Sequence, residues 1–241
     1  MRFSIRNRLF GIALATLAVV SVCALSPMAV AQDAPESDAV QAADSVFDAA
    51  HVFRNLPVNV LELLPSGVRS DMLDYYTEAD SLVQLPNAMG GLSQLKTVTP
   101  DYLKVQITPV STLQIKLLEG KKGRKVIMTI YTVGDSVPSS DSDIRFFSED
   151  FRELQRDKFI KMPRLEDFFS IPKGSETTMK EIRGMMPFYT VKADAAPGAD
   201  NLVMQLTPGE YVSVDDLHIL ELFLKPRLTY IWKGNKFKLE K

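Results

Sequence analysis

The sequence predicts an α+β fold of two tandem repeats, each a pair of helices followed by an antiparallel sheet of about four strands. Three observations carry that expectation. Apolar residues fall at helical spacing up to Tyr76 and at alternating spacing from Leu92 onward. The same order of elements returns after residue 149. One strand is also written nearly twice: Leu103-Lys-Val-Gln-Ile-Thr-Pro109 recurs as Leu202-Val-Met-Gln-Leu-Thr-Pro208, with Leu, Gln, Thr and Pro unchanged. Pro65-Ser-Gly67 with Met72 likewise recurs as Pro172-Lys-Gly174 with Met179. Two amphipathic strands ending in Thr-Pro can look alike by chance, because proline gives the ladder no donor and so ends strands. The second matched spacing tips the reading toward a duplication.

The first element is an address. Arg2, Arg6 and Arg8 precede an apolar run from residue 9 to 25, and Ala29-Val30-Ala31 stands before Gln32. A positive start, an apolar middle and small residues at −3 and −1 make residues 1–31 a secretory signal, cleaved after Ala31. Ser26-Pro27 interrupts the run short of the about 20 apolar residues a membrane span needs, so no retained transmembrane helix is expected. Cys23, the only cysteine, offers an alternative as a lipid-attachment site, although Val22 before it is larger than such a site prefers. After cleavage at Ala31 the chain has no cysteine, and its core must hold without disulfides. Residues 32–45 are small and acidic with almost nothing to bury, and read as a flexible acidic leader. The first α+β repeat then covers 46–148 and the second 149–241.

Within the first repeat, Pro57 can open a short helix carrying Val60, Leu61 and Leu64. A second helix over 66–76 buries Val68, Met72 and Tyr75 and turns Arg69, Asp71 and Asp74 largely to solvent. Leu103, Val105 and Ile107 share one strand face, and Leu113, Ile115 and Leu117 repeat it. Gly120-Lys-Lys-Gly123 is a turn, and the strand 126–133, apolar on both faces, is placed at the centre of the sheet. Residues 136–142 form a polar loop before a short strand at 144–147. In the second repeat, 150–155 and 164–170 are helical or irregular and 175–184 is helical. Strands follow at 188–193, 202–207, 218–224 and 227–232, with Gly234-Asn235 turning into 236–239.

Three of the 28 basic residues lie in the signal, and the remaining 25 face 30 acids. Nucleic acid is therefore not an expected partner. Residues 32–65 are acidic and 225–241 basic, which in each case is the composition of solvated surface.

At residue level the chain resembles an uncharacterised family, a domain of unknown function, of small exported proteins from Bacteroidales-type bacteria. The resemblance is carried by Phe53-Arg-Asn-Leu-Pro57, by Leu63-Leu-Pro65 with Arg69-Ser-Asp71-Met72-Leu-Asp74-Tyr75, and by the stretch from Thr99-Pro-Asp101 to Leu118. It implies export and a fold, and no catalytic residue. The layout also resembles the tandem helix–helix–sheet fold of the β-lactamase-inhibitor protein, and a shared fold does not transfer function.

Chemistry is sparse. His51 and His218 are the only histidines, far apart in sequence and without cysteines, so neither a structural zinc site nor a haem attachment is expected. No Gly-x-Ser-x-Gly elbow and no phosphate-cradling glycine spacing occurs. No cofactor is expected. The C-terminal hairpin is the candidate binding site, because Tyr230, Trp232 and Phe237 alternate with Lys233 and Lys236, and aromatics beside cations mark contact surfaces. The same pattern also describes an edge hairpin with one buried and one solvated face. The expected function is that of an exported, non-enzymatic binding or assembly module for an envelope protein or polymer. The alternative is an envelope hydrolase using His51 or His218.

Overall fold

The computed structural model describes residues 46–79, 83–135, 139–225 and 227–240. The expected signal (1–31), with Cys23, and the acidic leader (32–45) lie outside the described residues. Helix α1 (Ala49–Asn55) is capped by Asp48, whose carboxylate accepts the His51 amide at 2.7 Å. After a 3-10 turn at Val58–Val60 comes α2 (Ser66–Ala79). Ala49, Val52 and Phe53 from α1 and Met72 and Leu73 from α2 bury one face of the pair. Among the described residues no helix is long and apolar enough to cross a membrane.

Arg69 locks the helix pair. It is 2% exposed, and its Nη1 donates to the carbonyls of Phe53 and Leu56, both at 2.8 Å. Those carbonyls belong to the end of α1, where no intrahelical donor reaches them. The expected solvent-facing Arg69 is thus corrected, while Asp71 and Asp74 are exposed as read. Helical periodicity marks Arg69 as polar but does not reveal that a neighbouring helix ends against it.

The pair covers a seven-stranded sheet in which each strand lies beside its chain neighbour: β1 (Gln84–Pro86), β2 (Leu92–Val98), β3 (Tyr102–Thr108), β4 (Ser111–Glu119), β5 (Lys125–Val133), β6 (Asp141–Phe147) and β7 (Glu153–Leu154). Every pairing is antiparallel. The middle strand is β4, buried at every position except Glu119, and not the expected 126–133, which is its neighbour β5. On the β1 side, the three-residue β1 and the half-polar β2 shift the centre. Leu113, Ile115 and Leu117 of β4 face the helices; Leu118 faces the other way.

On that second face packs a four-stranded antiparallel sheet, β8 (Thr190–Ala195), β9 (Asn201–Thr207), β10 (Leu228–Trp232) and β11 (Phe237–Leu239), with β8 and β11 at its edges. Helix α3 (Met179–Met185) precedes β8, and α4 (Val214–Glu221) lies between β9 and β10. Met128, Ile130, Ile144 and Phe146 of the first sheet share one core with Met204, Leu228, Trp232 and Phe237 of the second. The outward amides of edge strand β8 are taken up by first-sheet side chains: Val191 donates to Asp141 Oδ1, Ala193 to Ser142 Oγ and Ala195 to Gln114 Oε1, at 3.3, 3.0 and 3.0 Å. That blunts an edge otherwise open to mispairing.

The α+β class with antiparallel sheets is as expected. The repeat layout is not confirmed: among the described residues the sheets have seven and four strands, and no helix pair opens the second half. The twice-written segment does fall on two strands, β3 and β9, with Leu103, Val105, Ile107 and Leu202, Met204, Leu206 buried in the same alternation. The Pro-x-Gly pair diverges, one copy opening α2 and the other forming a turn at Gly174, whose φ is +84°. The expected strand 218–224 is largely α4, capped by Ser213, whose Oγ accepts the Asp216 amide at 3.1 Å.

Replacing Arg69 by Leu leaves the α1 carbonyls without a donor, and should lower unfolding free energy by about 3 kcal/mol. Asp71→Ala should change it by less than about 0.5 kcal/mol. Urea denaturation of both variants measures this, and equal effects would contradict the locking role.

Candidate functional site

The five hairpin residues separate into two directions. Tyr230, Trp232 and Phe237 are buried, Trp232 at 6% exposure, whereas Lys233 and Lys236 are exposed. The Trp232 indole donates from Nε1 to the Glu119 carbonyl at 2.6 Å, stacks on Phe159 at 6.2 Å and meets Phe237 edge-on at 5.1 Å. Burial, with Asp167 nearby, pushes the Tyr230 hydroxyl up to about 12, so it stays protonated. These aromatics therefore help join the two sheets, and Tyr230 and Phe237 also line, with Lys236, a depression of about 410 Å³. The strand alternation that put rings between lysines also put them on opposite faces.

His51 is half-buried in α1 beside Phe47, with ring centroids 5.4 Å apart. His218 is exposed on α4, not held in a strand. The two sit in different layers, one under the first sheet and one beside the second. Among the described residues no group of three or more His, Cys, Asp or Glu is arranged to hold a metal.

The densest set of charged groups lies between the sheets. Lys116, only 1% exposed, pairs with Asp101 and donates to the Ala196 carbonyl at 3.0 Å. Gln114 donates to Asp194 at 2.9 Å and accepts from the Tyr102 hydroxyl at 3.2 Å. Asp135 accepts from Lys192 at 2.5 Å and lies 3.6 Å from Lys104. Burial pushes the carboxyls of Asp101 and Asp135 up, but donors outweigh it: Lys116, Gly198 and Thr99 on the first, Lys192 with Lys104 on the second. Both end below the ordinary range. Burial, reinforced by Asp194 and Asp135, raises the Tyr102 hydroxyl far above its own, which leaves it a donor and not a base. With these groups engaged on one another, the cluster reads as a joint between sheets, the commoner role of a satisfied network.

The outward surface is different in character. Phe188, in the loop before β8, is 73% exposed and lies edge-to-face against Tyr211, itself 52% exposed, with centroids 6.2 Å apart. Tyr189 is also exposed and lines a depression of about 380 Å³ with Arg164, Glu166, Arg183 and Met186. Arg183 and Glu166 pair across it. Val214 and Leu222 continue the apolar surface along α4, with His218 between them at helical spacing. Sequence reasoning missed this face because its residues sit in loops and at helix ends, outside any periodic pattern. The available signal was Pro187-Phe188-Tyr189, two aromatics together at a strand start.

The family described as Protein of unknown function (DUF3256) matches residues 41–237. No curated protein matches the chain. Among solved structures, a domain of an uncharacterized protein from Porphyromonas gingivalis W83 superposes with a TM-score of 0.69 at 21% identity, covering 79% of this chain and 96% of that one. At that identity the likeness shows the fold alone. The resemblance to a Bacteroidales-type family of unknown function, carried by segments such as Phe53-Arg-Asn-Leu-Pro57, is borne out.

Acid should loosen the joint. Both carboxyls have folded pKa values below the unfolded value of about 3.9, so their stabilisation is complete above that pH and is lost as pH falls through the folded values. Asp135→Asn should lower stability by about 1–2 kcal/mol at pH 7, with the deficit closing below about pH 3.9. Urea midpoints against pH measure it; a deficit that does not change with pH would contradict the assignment.

Proposed function

The chain belongs to the family described as Protein of unknown function (DUF3256), and we propose that it is an exported cell-envelope protein that works by binding and not by catalysis. Its contact surface is the aromatic face of the second sheet's loops. The observation that carries this reading is the exposed edge-to-face pair of Phe188 and Tyr211. Two rings exposed side by side make a contiguous apolar patch, and exposed apolar patches mark interaction surfaces. Tyr189, next to Phe188 in the chain, lines a depression with Arg164, Glu166 and Arg183, which is the mixture of apolar anchor and polar rim that binding surfaces use. The partner is an envelope protein or polymer. Export is supported by Arg2, Arg6 and Arg8, the apolar run to residue 25, and Ala29-Val30-Ala31.

One experiment tests both parts. The full chain, carrying a photo-crosslinking residue at position 188 or at the exposed Asp71, is expressed in a host with an intact envelope and fractionated. The expected product is a chain beginning at Gln32 in the envelope fraction, with a discrete adduct from position 188 and none from 71. Excess unmodified protein should compete the adduct away, and Phe188→Ala/Tyr211→Ala protein should not. An intact chain in the cytoplasm would contradict export, and the same adducts from both positions would contradict the surface.

A further inference from the structure

A second site lies on the first sheet, away from the aromatic face. β7 is only Glu153–Leu154 and pairs with Phe147 and Phe146 of β6. The chain then leaves the ladder in a 3-10 turn at Arg156–Lys158, from which the Arg156 side chain reaches back to Asp143. Residues 141–145 of β6 therefore have β5 on one side and, among the described residues, no strand on the other. Beside them opens a notch of about 700 Å³ lined by Asp143, Ile144, Arg145, Glu153, Gln155 and Arg156. It continues into a cavity of about 290 Å³ on the helix side of the sheet, with Asp143 and Arg145 common to both. Ile107, Leu113, Thr129 and Tyr131 form the cavity floor, and the loop 59–63 forms its wall.

Two features make this more than a crevice. Thr129 is 2% exposed, lines the cavity, and its hydroxyl has no hydrogen-bond partner among the described residues. A hydroxyl open to a half-apolar cavity offers a hydrogen bond to a ligand group that enters it. The charges at the notch are already matched: Arg145 holds Glu153 through Nε at 2.9 Å and through Nη2, and Arg156 lies 3.7 Å from Asp143. A free ion gains little there. A neutral ligand whose polar groups are its own amides gains most.

From this geometry we infer that the notch binds an extended peptide, which adds a strand to β6 beside residues 143–145 and sends one long apolar side chain over β6 into the cavity. Added strands lie about 4.8 Å from their neighbour and point alternate side chains to each face. A Phe, Leu or Met on the helix-side face thus passes between Asp143 and Arg145 toward Thr129 and Tyr131. The backbone supplies affinity and the cavity supplies selectivity.

Selection of displayed random heptapeptides on the mature chain, followed by titration of synthetic winners, tests this. The expected winners carry β-forming residues around one fixed Phe, Leu or Met. Methylating their backbone amides, or placing Asn59→Trp in the exposed cavity wall, should weaken binding at least about tenfold while the melting temperature of the protein is unchanged. Thr129→Val, which keeps shape and removes the hydroxyl, should weaken it less. Phe188→Ala/Tyr211→Ala protein should bind as well as the parent. The inference is overturned if no peptide family is enriched, if amide methylation or Asn59→Trp has no effect, or if binding depends on Phe188 and Tyr211. It is equally overturned if sedimentation shows a dimer that Asn59→Trp dissociates, because the occupant is then a second copy.

Discussion

Lys116 is the side chain on which the molecule's construction turns. It lies in the middle strand β4, is almost wholly buried, and carries a charge that has to be answered inside the protein. Asp101 and the Ala196 carbonyl answer it, one from the turn between β2 and β3 and one from the loop after β8. Removing one partner of a buried charge leaves the other uncompensated, at a cost of about 3–5 kcal/mol. The second sheet consequently has one place to sit. Gln114, two residues earlier on the same face, repeats the logic by bonding Asp194 and the Ala195 amide.

β4 is thus covered on both sides by different chemistry. Its Leu113, Ile115 and Leu117 face an apolar helix layer, while Thr112, Gln114 and Lys116 face a polar joint that gives way to apolar contact at Leu118. Apolar burial supplies most of the stability, and the polar groups select the geometry in which it occurs. Arg69 does for the helix pair what Lys116 does for the sheets. The surfaces left over, the aromatic loops and the open stretch of β6, are those no internal requirement closes.

Much of this was legible in the sequence, and what was not has physical reasons. Strand alternation located β3, β4, β5, β9 and β10, because each has at least one clearly apolar face. It misread 218–224, where Leu217, Leu220 and Leu224 follow helical spacing behind the cap Ser213-x-x-Asp216, a signal present but outweighed by an apolar run. The twice-written segment foretold two equivalent strands and no more, since strands of like burial arise in unlike surroundings. At the candidate site, the hairpin composition named residues without their direction: Trp232 was readable as aromatic, but its bond to the Glu119 carbonyl spans the chain. Phe188 and Tyr211 meet only through tertiary structure.

If the joint governs the fold, the amides of Val191, Ala193 and Ala195 report it directly, since each is held by a first-sheet side chain and not by a neighbouring strand. Native-state hydrogen exchange should find them opening with the same free energy as the amides of β4. Exchange at the rate of a solvent-exposed edge strand, with β4 still protected, would contradict a single unit joined through Lys116 and Gln114.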